Sequence, residues 1–221
     1  MNPEVDAGTA TGRAGGTESE LPNLAVRVFQ LFASPGKLFE QLSRRPAWLG
    51  ALLLVVALSV GGSLLVPEQL VRDAFMAGVP EGTDPAQVES QLEFFLGFRH
   101  VISAVAPPLA IVIVAGLLLF IFNLLMGGEA TFRQLLSASA HAMLITSIGG
   151  LLTLPLMQAS GDVQTALALH LLVPGLEEGY LYRLLHGLNI FSLWSAAVLS
   201  IAVGRIYPAR STGGAAATII G

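Results

Sequence analysis

Apolar and polar positions alternate along the chain in blocks rather than singly: long uncharged runs are separated by short charged segments. The longest run, residues 101–126 (VISAVAPPLAIVIVAGLLLFIFNLLM), has no charged side chain, and Asn123 is its only amide. At ~1.5 Å of rise per residue it reaches about 39 Å as a helix, more than the ~30 Å hydrocarbon core of a bilayer. It predicts a membrane span. Three more runs have the same character: residues 48–66, 132–157 and 188–206. Pro67 closes the first, and Arg205 with Tyr207 ends the last as an interfacial anchor pair. A shorter apolar patch at 166–173 is too short to cross and reads as interfacial or re-entrant. The tail STGGAAATIIG reads as the start of a fifth span, from about residue 215, in a chain cut short.

The polar blocks predict what flanks the spans. Residues 1–20 are small, polar and mildly acidic, without the basic start and apolar centre of a signal peptide, and read as a disordered cytoplasmic tail. Residues 21–46 read as two amphipathic helices. Ser34-Pro35 suits a helix start, and Leu38, Phe39 and Leu42 share one face while Lys37, Glu40, Arg44 and Arg45 point elsewhere. Such a pair either lies in the headgroup layer, its basic residues drawn to anionic lipid, or packs under the membrane domain. In the acidic segment 67–100, Asp84-Pro85 opens a helix with Val88, Leu92 and Phe95 on one face. Its six carboxylates are scattered, which favours a solvated face over a cation site. Gly127-Gly128-Glu129 predicts a tight turn, and Thr131 with Gln134 a capping box.

Inside the spans, Gly61-Gly62 allows close helix contact, and Pro107-Pro108 removes two backbone donors and predicts a kink. His141 is ionisable and intramembrane, hence a functional candidate by position. It has no second ligand or carboxylate at metal or catalytic spacing. A neutral histidine hydrogen-bonded to another helix is the favoured reading.

Composition agrees with the pattern. Of 221 residues, 53% are hydrophobic and 12% charged, about half the charge of a soluble domain. A net charge of −4 with no basic-aromatic cluster excludes nucleic acid as partner, and the absence of cysteine excludes disulfides and thiolate sites. Placing the N-terminus in the cytoplasm puts Arg13, Arg27, Lys37, Arg44, Arg45, Arg133, Arg205 and Arg210 inside. Only Arg72, Arg99 and Arg183 are then outside. Ten arginines against one lysine, with abundant Ala and Gly, suggest a GC-rich bacterial genome and hence a bacterial inner membrane.

Four segments in order carry a resemblance: ASPGKLFEQLSRRPAW, GGEATFRQLLSASAHAML, LYRLLHGLNIFSLW, and the small-residue stretch after the fourth long run. Together they resemble the Yip-one domain family of Ypt/Rab-interacting membrane proteins and their bacterial relatives, over about residues 30–221. The resemblance implies a cytosolic N-terminus and five helical spans. Eukaryotic members are associated with vesicle traffic, Rab-type GTPases and self-association. Their DLYGP signature is absent here, and Gly179-Tyr180 has no equivalent setting, so a Rab partner does not carry over.

The fold class is therefore all-α: a polytopic helical membrane protein with four complete spans, the start of a fifth and N-terminal amphipathic helices. No phosphate loop, HExxH, GxSxG or paired intramembrane carboxylate appears. No catalytic, cofactor-binding or metal-binding residue is assigned. The expected role is non-enzymatic, through helix packing, membrane organisation, self-association or binding to other membrane proteins. The alternative is a permease or channel using Pro107-Pro108, His141 and Asn123. A third reading is an intramembrane protease, because EEGYLYR comes close to the EExxxR motif of CAAX-type proteases, with His186 and Asn189 nearby. Glu178 and Arg183 are five apart, about 500° of helical rotation, so they do not share a face.

Overall fold

The computed structural model describes residues 21–160 and 188–207, together with residues 169, 173, 175, 176 and 179–186. The expected tail 1–20, most of the patch 166–173, Glu177, Glu178 and the start of a fifth span lie outside the described residues. Among the described residues there are helices and no strand.

Two short helices come first, α1 (Leu24–Ala33) and α2 (Pro35–Arg44). Asn23 caps α1 by accepting from the Val26 N–H at 3.0 Å. Ser34 stands at the N-cap of α2, but its hydroxyl makes no cap bond; Pro35 alone supplies the start signal. Leu38, Phe39 and Leu42 are buried, as their spacing predicts.

Then come α3 (Leu49–Leu65), α4 (Glu68–Ala77), α5 (Pro85–Leu119) and α6 (Phe132–Ser160), followed by α7 (Tyr180–His186) and α8 (Ile190–Ile206). Asp84 caps α5 through the Ala86 N–H. The helix runs unbroken through Pro107-Pro108 and ends in a π-helical turn, Phe120–Leu125. The widened turn shows in the Met126 N–H donating to Ile121 O, five residues back, at 3.2 Å. Gly127 then takes φ +69°, a left-handed value that suits glycine. Thr131 and Gln134 form the capping box of α6: the Thr131 N–H donates to Gln134 Oε1 at 2.7 Å and the Gln134 N–H to Thr131 Oγ1 at 3.3 Å. Asn189 and Ser192 form another for α8.

Helices α3 and α6 run in one direction, and α5 and α8 return. The Ala47 N–H reaches Ser137 Oγ near the start of α6, and Gln158 reaches the Leu65 carbonyl where both helices end. Helix α6 is central: 61% of its most apolar segment is buried, against 11% for α5. In a membrane the large side chains that α5 exposes, Leu109 and Val112 among them, face lipid. Helices α1 and α2 pack across the end where α3 and α6 begin, against α6 and α8.

Two helices are long and apolar enough to cross a membrane: Pro85–Leu125, which includes the π-turn, and Phe132–Ala159. A third crossing follows if α3 and α4 count as one element, although they bend by 92°. Helices α3 and α8 are apolar but only 17 residues long. Four complete spans are thus more than helix length alone establishes.

Candidate functional site

The most enclosed polar arrangement lies where α1 meets the bundle. Arg27 shares a face of α1 with Leu31, one turn on, and both are buried. Its Nη1 donates to the Ala47 carbonyl at 3.1 Å and lies 3.2 Å from His141 Nε2, on a fully buried ring. An arginine can only donate, so Nε2 accepts, and the other ring nitrogen carries the proton. That Nδ1–H donates to the Ser137 carbonyl at 2.8 Å. His141 is therefore a neutral histidine bonded to a second helix. The partner is an arginine of the first amphipathic helix, whose segment has two open readings, in the headgroup layer or packed under the membrane domain; at Arg27 the packed one holds.

Arg27 has no carboxylate within ion-pair distance among the described residues, and its Nε is buried without an acceptor. Burial lowers its pKa, but an arginine remains protonated. A cation held by one carbonyl and one imidazole fixes α1, the α2–α3 connection and α6 together. The pair offers no nucleophile and no ligand set.

Asn123 is likewise consumed. Its Nδ2 donates to the Ala130 carbonyl at 2.7 Å, and its Oδ1 accepts from the Ala130 N–H at 3.3 Å and the Tyr207 hydroxyl at 2.6 Å. Tyr207 stacks on Phe122 with ring centroids 5.1 Å apart. Tyr207 thus closes the turn between α5 and α6. A Cβ on Gly128 would lie 2.5 Å from the Tyr207 ring and 2.7 Å from the Phe122 carbonyl, so only glycine fits there.

At the opposite end Arg72 of α4 gathers three of the six carboxylates: Glu68 at 3.0 Å, Glu93 at 3.1 Å and Glu89 at 3.8 Å. The hydrogen bonds to Glu93 and Glu68 raise the Arg72 pKa. Among the described residues no group of His, Asp and Glu is placed to hold a metal.

A groove of about 740 Å³ opens between α3, α5 and α6 towards that same end. Pro107 stands in its wall, but His141 and Asn123 do not. The three residues of the channel reading are therefore not brought together. Of the protease residues, Glu177 and Glu178 lie outside the described residues, as does the side chain of His186. Sequence reasoning missed Arg27 as a core residue. The available signal was its register with Leu31.

Comparison with known proteins gives one family. The Yip1 domain matches residues 29–221. The chain is 28% identical over 203 residues to the membrane protein YknW of Bacillus subtilis (strain 168), covering 89% of this chain and 84% of that one. No solved structure matches. A family match over nearly the whole chain, with a bacterial membrane protein as relative, settles the resemblance carried by the four segments: the chain belongs to the Yip1 domain family.

Proposed function

We propose that this Yip1-family membrane protein is a non-enzymatic, multi-pass protein of the bacterial cytoplasmic membrane that works through helix packing and protein–protein association. In this reading α3, α5, α6 and α8 each span the bilayer and the N-terminus is cytoplasmic. Helices α1 and α2 sit at the cytoplasmic interface. One observation carries it: three polar groups within the bundle join one element to another. Arg27 meets His141, Asn123 meets Ala130 and Tyr207, and Ser195 Oγ donates to the Ala142 carbonyl at 2.8 Å. In a hydrocarbon surrounding, such bonds fix which helices pair. Helix α1 exposes large apolar side chains, with Phe29 70% exposed and Val26 and Phe32 exposed as well. Such a face suits a helix half-sunk in the inner leaflet.

The chain has no cysteine, so an introduced one reports alone. Leu109→Cys, Val112→Cys and Leu117→Cys, all on the exposed side of α5, are placed in native membranes with a short thiol cross-linker. A discrete product, either a second copy or one defined membrane protein, is expected from at least one position. Neither product at any position removes association as the working principle.

A further inference from the structure

The groove between α3, α5 and α6 has chemistry that helix packing does not use. Its wall carries no charged side chain. Three of its hydroxyls, on Ser59, Thr146 and Ser147, have no hydrogen-bond partner among the described residues, in contrast to Ser63, Ser103 and Thr153, which are bonded to backbone carbonyls. A fourth polar group comes from the backbone. Pro107 has no N–H to give to the carbonyl of Ser103, one turn earlier, and both residues line the groove. Polar groups left open in a membrane domain cost free energy unless water or a ligand satisfies them.

The space suits a ligand. About 740 Å³ lies within the range of sites that hold drug-sized molecules. The small residues Gly62, Ala106, Ala110 and Gly150 leave the gap, and a Cβ on Gly150 would meet nothing within 4 Å. Ala106 and Gly150 are exposed at its rim. One end is fixed by a directed chain: Arg99 Nε donates to His100 Nε2 at 3.2 Å, and His100 Nδ1, 2.9 Å away, donates to Ser63 Oγ. Ser63 then donates to the Val60 carbonyl. Arg99 stands at the far end of this chain and is not part of the groove wall. Deeper in, Leu58, Met143 and Leu154 supply apolar wall.

We propose that this groove binds an uncharged, hydroxyl-bearing lipid of the diacylglycerol type. Its hydroxyl and ester groups would meet Ser59, Thr146, Ser147 and the Ser103 carbonyl, and an acyl chain would run along the apolar wall. An ionised headgroup finds no counter-charge in the wall, which discriminates against phospholipids. A site of this kind would let the protein respond to the neutral-lipid content of its membrane.

The test uses the full-length protein in phosphatidylethanolamine/phosphatidylglycerol vesicles, with photoactivatable diacylglycerol or photoactivatable phosphatidylglycerol of the same acyl chains. Diacylglycerol is expected to label α3, α5 or α6 at least tenfold more than phosphatidylglycerol at equal mole fraction. Gly150→Leu, which fills the groove, and the triple variant Ser59→Ala/Thr146→Val/Ser147→Ala, which keeps its shape, should each cut that labelling at least fivefold. Arg27–His141 cross-bonding leaves the opposite end of the bundle as an internal control: a variant whose thermal midpoint stays within a few degrees of the parent has kept its fold. Equal labelling by the two lipids, or undiminished labelling in the folded triple variant, overturns the proposal. A groove that holds only water gives no labelling above an unrelated membrane protein, and that result overturns it too.

Discussion

Arg27 and His141 make sense only as a pair. The imidazole needs a donor at Nε2, and among the described residues the buried guanidinium has two acceptors, one of them that nitrogen. Removing either partner leaves a buried polar group stranded, which costs about 1–3 kcal/mol for a neutral group and more for a charged one. His141→Ala is therefore expected to destabilise more than Arg27→Ala, because it strands a charge. Once Arg27 is absent, losing the imidazole should cost much less. A double-mutant cycle on thermal or denaturant unfolding in detergent micelles should show a coupling on the order of 1–3 kcal/mol. Simple additivity would mean that the bond contributes nothing. Tyr207 offers a second test at this scale. Burial raises the pKa of its phenol, and only the neutral phenol can donate to Asn123. A folded-state pKa above the unfolded one means that the folded state holds the proton more tightly. The resulting stability is complete below about pH 10 and falls as pH rises through the elevated folded value. Tyr207→Phe should lose stability at neutral pH and show a flatter alkaline limb, measured by unfolding between pH 8 and pH 11.

Elements depend on how closely their backbones approach, and here glycine decides. The Gly61-Gly62 pair looks like a packing motif, yet a Cβ at Gly61 would meet nothing within 4 Å and at Gly62 only Leu151 at 3.4 Å. The tight crossing is at Gly149, where a Cβ would fall on the Phe191 ring and so on the contact between α6 and α8. Gly149→Ala should cost about 1–3 kcal/mol as an overpacked contact, and Phe191→Ala in the same chain should recover part of the loss. The reverse ordering, with Gly61→Ala the more damaging, would contradict the packing. Nothing local distinguishes the two glycine pairs, since a small residue matters only opposite a large one on another helix. The same limit explains what else was and was not legible. Caps at Asp84 and Thr131, and the buried positions Leu38, Phe39 and Leu42 of α2 and Val88 and Leu92 of α5, are written within a few residues of each other and are legible in the sequence. The π-turn holds an asparagine that is answered by a tyrosine 84 positions away. The groove depends on three helices leaving a gap together, and its hydroxyls look like ordinary span serines and threonines until their partners are traced. Arg27 is the hardest, because a lone basic residue on an amphipathic helix suits lipid and core alike until its register with Leu31 is followed.

For the whole molecule the alternation of helix direction argues for more crossings than length alone does. Helix α3 with its 17 residues extends only about 26 Å, and α8 the same, a few ångströms short of a ~30 Å hydrocarbon core. A shortfall of that size is absorbed by local thinning and by snorkelling of a terminal side chain such as Arg205. Helix α5 has the opposite problem. With its π-turn it has 41 residues, about 62 Å at helical rise. Its first turns, carrying Glu89, Glu93 and their bonds to Arg72, must therefore stand outside the bilayer. Placing both ends of every helix tests the four-span reading directly. Single cysteines at Glu40, Glu81, Glu129, Arg183 and Arg205 all fall on exposed side chains. They are probed with a membrane-impermeant maleimide on intact spheroplasts and again after permeabilisation. Glu81→Cys and Arg183→Cys should react at once, and Glu40→Cys, Glu129→Cys and Arg205→Cys only after permeabilisation. The mirror-image pattern would keep four spans and reverse the orientation. Matching reactivity at Glu40 and Glu81 would show that α3 turns back at its 92° bend with α4, and matching reactivity at Arg183 and Arg205 would show that α8 lies within one leaflet. The positive-inside excess of eight basic residues to three favours the first pattern, because translocating Lys37, Arg44 and Arg45 with the N-terminus would oppose the charge bias that orients membrane helices.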